Sequence, residues 1–432
     1  MADPVPHAPH VVTAPAWRGG DGRREANAAA VLRTVLDHGP VARTGVARLS
    51  GLSAAAVSRQ VVHLAELGLV REVPGAVPGG AVGRPQVPLD LDTVGPLVAG
   101  VHIGVPFTSL ALLDLRGRVV AQRMLSGGTP SGLPPELAAE LPEFLASGAR
   151  GRRILGLGAI TGGWVDPQRG VVLRHVPLGW HDVPLQAQLE RISGLPVHVD
   201  NHARAIVQSE MLFGRPEARR SVVHLFVGAV VDAAFGIAGV VHQGPGAAAG
   251  DVAHLPTGDG GSATGEASGT DRPGTACDCG RTGCLQAAAS DLALVGRARA
   301  AGLRDCPDSF AVVALALAGD SRADALLRQR LRLVARAAAL LMDALNPELV
   351  LLTEASVVAS ESYLAFFRRE LAACSRVARE PERVGVPHAG TDLMRVAAGT
   401  AVLAPLFRDP LRFRTPAGAT APTTAGLPVE IR

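Results

Sequence analysis

Residues 277–284 read CDCGRTGC, and no other stretch restricts the possible fold of this chain so strongly. Three of its five cysteines fall within eight residues, with two glycines and an arginine between them. Thiols this close together bind a metal, pair as disulfides or do chemistry. The N-terminus, MADPVPHAPHVVTAPAWRGGDG, lacks the basic region and apolar run of a secretory signal. No apolar run reaches the roughly eighteen residues of a membrane span. A cytoplasmic protein with no membrane association is expected, and reduced cytoplasmic thiols favour a metal over disulfides. Cys277, Cys279 and Cys284 supply three soft ligands, and a closed tetrahedral zinc site needs a fourth. Cys306 falls in an expected helix-end loop and Cys374 in an expected helix. His254, in GDVAHL just upstream, is the better partner and completes a standard Cys₃His set. A catalytic zinc would keep one position open to water, so the expected ion is a structural Zn²⁺.

At 432 residues, with 47% hydrophobic and 19% charged residues, the chain has the composition of a globular protein of two or three domains. All 42 basic residues are arginine, which reads as coding bias because Gly (50) and Pro (32) are abundant too. The net charge of +3 is too small to define a partner. Its distribution says more: from Arg18 to Pro85 there are nine arginines against five acids. Such an excess marks a solvated face unless a nucleic-acid motif lies in the same segment.

Residues 1–22 and 409–432 are Pro-, Ala- and Gly-rich and read as disordered tails. Between them, 23–92 reads as a small helical module and 93–408 as an α/β body. A Pro/Gly-rich stretch at 73–85 lies between the module's helices and the body. In the body, LVAGVHIGVPFTSLALLDLRGRVVAQRML predicts three short strands with turns at Gly104–Pro106 and Arg116–Gly117. Apolar strands at 154–160, 195–200, 221–231 and 348–353 then alternate with helical stretches, and a long amphipathic helix from Ala323 to Leu345 stops at Asn346–Pro347.

In the module, Ala28, Val31, Leu32, Val35 and Leu36 recur at helical spacing up to Gly39–Pro40. Thr44 is expected to cap a second helix with Val46, Ala47 and Leu49 facing inward. Gly51 permits a tight turn, Ser53 caps a third helix with Val57, Val61 and Leu64 buried, and Gly68 ends it. Helix, glycine turn, helix is the helix-turn-helix arrangement, with the later helix in the major groove. Ser53, Ala54, Ala55, Ser58 and Arg59 fall on its outward early part, with Arg43 and Thr44 on the helix before. VREV and VPLDL then suggest a two-stranded wing, with Arg84 placed to reach DNA. The alternative is a tri-helical packing module.

Taken in order, GLSAAAVSRQVVHLAELGLV, LGWHDVPLQAQLERISGLPVHVDNHARAIVQSEMLFG, GDVAH and CDCGRTGCLQ resemble the ROK family of repressors, open reading frames and kinases over roughly residues 24–405. The chain most resembles its transcriptional regulators. That resemblance implies an actin/hexokinase-like body of two α/β lobes crossing over near residue 200, with a sugar cleft beside the zinc site. It also implies a homodimer or homotetramer on a double-stranded DNA operator. The family's kinases carry an acid and a glycine pair after their first strand, where this chain has His102. Their catalytic aspartate maps onto His202, their second glycine-rich motif onto VGAVVDAAFGIAG, and their adenosine-side glycine pair onto Thr353–Glu354. No catalytic residue is therefore assigned, and His202 occupies a degenerate base position. The sugar-binding positions map onto Asn201, His202, Asp251, His254 and Gln286. A repressor of carbohydrate genes with a sugar-like effector is the expected function. A sugar kinase and a ligand-independent DNA binder are the alternatives.

Overall fold

The structure, a computed structural model, describes residues 21–74, 87–129, 132–257 and 276–413. The chain divides into two compact units, one comprising residues up to 92 and from 405 onward, the other 93–404.

In the first unit, α1 (Asp21–His38), α2 (Arg43–Ser50) and α3 (Ala54–Glu66) precede an antiparallel pair, β1 (Val70–Glu72) and β2 (Leu89–Leu91). The helices pack through Val31, Leu32 and Val35 against Val46, Val57, Val61 and Leu64, all nearly inaccessible. Each such side chain contributes about 1.5–3 kcal/mol through burial. Gly51 takes φ 71° between α2 and α3, which a side chain would strain. Ser53 then accepts the Ala56 N–H at 3.2 Å and starts α3. Three expectations need correction. The residue before α2 is Ala42, with no side-chain cap, because Thr44 already lies inside the helix. Leu49 is 41% exposed and Ala47 half-buried, and only Val46 of that trio is buried. The helix α1 begins within the expected N-terminal tail, and Pro410–Phe413 forms a 3₁₀ turn near α1 within the expected C-terminal one.

The second unit opens with β3 (Leu97–Ile103), β4 (Phe107–Leu113), β5 (Val119–Ser126), α4 (Leu137–Ala149) and β6 (Ile154–Thr161). A small antiparallel sheet follows from β7 (Trp164–Asp166), β8 (Val171–His175) and β9 (Trp180–Val183), then α5 (Leu185–Ser193), β10 (Val197–Asn201) and α6 (His202–Phe213). The chain continues through β11 (Ser221–Val227), β12 (Val231–Ile237), β13 (Val240–His242), α7 (Leu285–Ala289), α8 (Asp291–Ala300), α9 (Ser309–Leu317) and α10 (Ser321–Leu345). Last come β14 (Leu349–Glu354), α11 (Ala355–Ala359), α12 (Glu361–Cys374), β15 (Val384–Gly385) and α13 (Leu393–Arg408).

Two five-stranded sheets share one topology. In the orders β5-β4-β3-β6-β10 and β13-β12-β11-β14-β15, three antiparallel strands are followed by two parallel additions. Strand β3 is buried along its whole length, as a strand covered on both faces must be. Between the sheets, Ala203, Ile206 and Val207 of α6 join Ala397, Ala398 and Ala401 of α13 in one core. A Cβ at Gly158 would meet the Ala398 carbonyl oxygen at 1.9 Å, so α13 crosses β6 only because that residue is glycine. The expected single strand at 221–231 is instead β11, a turn at 228–230 and the start of β12. No helix among the described residues is long and apolar enough to cross a membrane.

Candidate ligand cavity and metal centre

Between β10, β12 and the segment after β13 lies a cavity of about 340 Å³. Asn201, Asp251, His254 and Gln286 line it, together with Trp164, Asp232 and residues of the metal loop. Their roles differ. Asn201 is the N-cap of α6: its Oδ1 accepts the Ala203 and Arg204 N–H groups, and its Nδ2 donates to Gly163 O at 2.7 Å and Asp232 Oδ2 at 3.1 Å. Gln286 Oε1 accepts the Val231 N–H at 2.7 Å while Nε2 donates to Ala229 O at 2.9 Å. Both ends of that amide hold the β11–β12 turn, so Gln286 shapes the wall. Asp251 is exposed at the rim. His202, expected beside the ligand, is buried behind Asp232 with its ring 4.0 Å from that of Phe226, because β11 presents a large aromatic there.

Asp232 is the residue that sequence reasoning missed. Its Oδ2 accepts the Gly163 N–H at 3.0 Å and the Asn201 amide, and lies 3.0 Å from His202 Nε2 without full hydrogen-bond alignment. Burial alone would raise its pKa. The His202 ring, the Gly163 N–H and the Asn201 amide outweigh burial and hold the carboxyl below its ordinary value. A lone acid inside VGAVVDAAFGIAG was the available signal.

The metal ligands converge. His254, Cys277, Cys279 and Cys284 place their ligand atoms within 4.8 Å of one another. Cys277 Sγ lies 3.6 Å from His254 Nδ1, and Cys279 Sγ lies 3.6 Å from Cys284 Sγ. A tetrahedron with Zn–S of about 2.3 Å has edges of about 3.8 Å, so the donor set fits zinc in type and spacing. The Arg281 guanidinium and N–H beside Cys279 draw its thiol down to about 6, whereas burial pushes Cys284 up to about 11. A divalent cation would hold both as thiolates. Backbone bonds from Cys277 N to Arg281 O and from Gly280 N to Cys277 O fold the loop, and Leu285 N and Gln286 N bond back to Leu255 O and Ala253 O. The Cys284–Gln286 segment therefore joins the cluster to the cavity wall. Cys306 and Cys374 lie outside the cluster.

The side expected to cradle phosphates is filled. The rings of His102 and His202 lie 6.1 Å apart, and Phe226 packs on the latter. Burial and the neighbouring His202 lower His102 to about 3, and burial lowers His224 to about 3, so both stay neutral. At the Thr353–Glu354 position, Glu354 Oε1 lies 3.1 Å from Arg330 Nη1, with both side chains fully buried. Arg330 also meets Asp291 at 2.8 Å and donates to Ala289 O. His175 is buried and its Nδ1 accepts the Leu178 N–H, while His181 is exposed. Trp180 is core, and Trp164 stands 43% exposed at the cavity.

In the first unit, Thr44, Ser53, Ala54, Ala55, Ser58 and Arg59 are all exposed. Arg43 bonds Glu72 at 2.8 Å. Arg84 lies outside the described residues.

Matched sheets of this topology around a cavity, with a Cys₃His loop at its wall, define a sugar-kinase-like α/β protein. The ROK family model matches residues 98–405, and the chain belongs to the ROK family. It is 32% identical over 408 residues to a transcriptional regulator of Mycobacterium tuberculosis, covering 89% of this chain and 86% of that one. The xylose repressor of Bacillus subtilis is 23% identical over 275 residues, covering 63% of this chain and 67% of that one. Among solved structures, a ROK family transcriptional regulator homologous to the Escherichia coli Mlc protein superposes with a TM-score of 0.70 at 21% identity, over 89% of this chain and 97% of that one. The ROK hexokinase of Thermus thermophilus matches at a TM-score of 0.55 and 27% identity, over 71% of this chain and 98% of that one.

Proposed function

We propose that this ROK protein is a transcriptional repressor whose body senses a small carbohydrate-like effector and transfers no phosphate. The observation that carries the reading is the contrast inside the body. The cavity and the Cys₃His loop are complete, while Phe226, His102, His202 and the Arg330–Glu354 pair fill the phosphate side. Phosphoryl transfer needs a base at the hydroxyl and backbone amides around the phosphates. The matching positions here carry the buried side chains of His102, His202 and Glu354. The names of the relatives support regulation over catalysis.

In this reading the tri-helical unit and its strand pair form a winged helix-turn-helix. The early turns of α3 enter the major groove, where Ser53, Ala54 and Ala55 allow close approach and Ser58 and Arg59 bond phosphates or base edges. Arg43 and Thr44 flank the groove from α2, and Arg84 contacts DNA from the wing. Zinc held by His254, Cys277, Cys279 and Cys284 would cross-link the loop that supports Gln286. A homodimer or homotetramer presents two recognition helices to a palindromic operator, and the effector favours one body conformation over another.

Genome-wide footprinting is expected to place the operator near carbohydrate transport or catabolic genes. A coupled ATP assay over a sugar panel is expected to give no turnover, and kinase-like rates would overturn the reading. An operator affinity that no sugar changes would leave a ligand-independent DNA binder instead.

A further inference from the structure

The amides and the buried guanidinium on the cavity floor are held by the protein itself. The Asn201 amide and the Gln286 amide are engaged at both ends. Arg204 bonds Asp200, Ala247 O and Val165 O through its three nitrogens. Asp232 differs. Its Oδ2 is held by Gly163 and Asn201, but its Oδ1 has no partner among the described residues, although the residue is only 7% exposed and lines the cavity. That oxygen is open to the cavity, where water or a ligand can supply its donor.

From this we infer that Asp232 is the anchoring carboxylate of the effector, and that it selects small polyols with hydroxyl or ammonium donors over phosphorylated or carboxylated ones. The inference rests on the sensing role proposed above and specifies its chemistry. Three observations agree. First, Asp232 sits where the resemblance places a glycine-rich phosphate motif, so a carboxylate stands where a glycine would let an anion approach the backbone. Second, the Gly163 N–H and the Asn201 amide fix one carboxylate oxygen, which leaves the other oriented without rotational freedom. Third, the surrounding wall is apolar at Val230, Val231 and Ala233, with the Trp164 indole at the cavity. Trp164 Nε1 is fixed by Gly246 O at 2.7 Å, so its ring is held ready for the C–H face of a sugar. A polar edge on a carboxylate and an apolar face on an indole describe an uncharged or amino polyol.

The test uses the full-length, zinc-loaded protein. Isothermal titration is run with xylose, glucose and glucosamine, and with glucose 6-phosphate and gluconate as anionic counterparts. At least one non-anionic member is expected to bind, at least tenfold more tightly than the anionic ones. Asp232→Asn, which keeps the shape and removes the charge, is expected to weaken that binding at least tenfold. Metal content and near-ultraviolet circular dichroism check that the variant is folded. If it is not, the selectivity of the wild-type protein decides alone. Binding of an anionic member as tightly as its neutral parent, or unchanged binding by folded Asp232→Asn, would overturn the role of Asp232 and leave sensing intact. If no member binds, sensing and anchoring fall together.

Discussion

The metal loop and the phosphate side of this body are close neighbours with opposite contents. In the loop, three cysteines from a short stretch and one upstream histidine lie within tetrahedral reach of one another. On the phosphate side, the space is taken by Phe226, by His102 and His202, and by a buried Arg330–Glu354 pair. The two regions meet at Gln286, which leaves the metal loop and holds the turn just before Asp232. A cross-link that still shapes the cavity is useful to a sensor, whereas a phosphate cradle is not. That contrast is what supports the sensing role proposed above.

The comparison can be broken at its strongest point by removing the metal. Structural zinc contributes on the order of 10 kcal/mol in small domains. Chelation or Cys284→Ser is therefore expected to produce the largest fall in thermal midpoint and to abolish effector binding together with the stoichiometric zinc. A metal-free protein that melts and binds as before would remove the loop from the account.

On the other side of the comparison, Arg330→Met leaves Glu354 as an unpaired buried charge. Loss of one partner from a buried pair costs about 3–5 kcal/mol, which corresponds to a drop of roughly 10 °C for a body of this size. Calorimetry showing no change would mean that the pair is not part of the packed interior.

The neutral histidines give a pH signature of known sign. His224, buried and lowered to about 3, binds no proton in the folded state over a range where the unfolded chain, titrating near 6.5, does. The unfolded state thus gains protons as pH falls from about 6.5 towards 3, and stability falls with it. His102 at about 3 and His175 at about 4 act in the same direction. His224→Gln is expected to reduce the slope of unfolding free energy against pH by up to about 1.4 kcal/mol per pH unit in that window. Denaturant titrations at pH 4.5, 5.5 and 7.5 would reveal it, and equal slopes in both proteins would show that the histidine is charged in the folded state.

The smallest expected effect lies in the first unit. Arg59→Ala should weaken operator binding roughly tenfold and reduce the salt slope by about one. Unchanged affinity and slope would make the tri-helical unit a packing module.

Much of this was legible in the sequence because it depends on local chemistry. Cysteine spacing with an upstream histidine needs no long-range information, and neither do the apolar spacing of α1 and α3 or the glycine turn between α2 and α3. The site was read less completely. Position in a motif points to Gln286 and His202, but it does not reveal that Gln286 holds the turn at 229–231 or that His202 packs against Phe226. Asp232 was passed over because its importance comes from contacts with Gly163 and Asn201, far apart in the chain. The apolar run at 221–231 looked like one strand because neither hydropathy nor composition marks the turn that makes it two.

One measurement tests most directly whether a kinase body has been kept as a sensor. Operator binding is followed by fluorescence anisotropy with Mg-ATP present and a sugar panel titrated in, while ADP is monitored in the same sample. The account predicts that at least one uncharged or amino sugar shifts operator affinity about tenfold or more, with no ADP above the blank. Steady ADP production with unchanged operator affinity would contradict it.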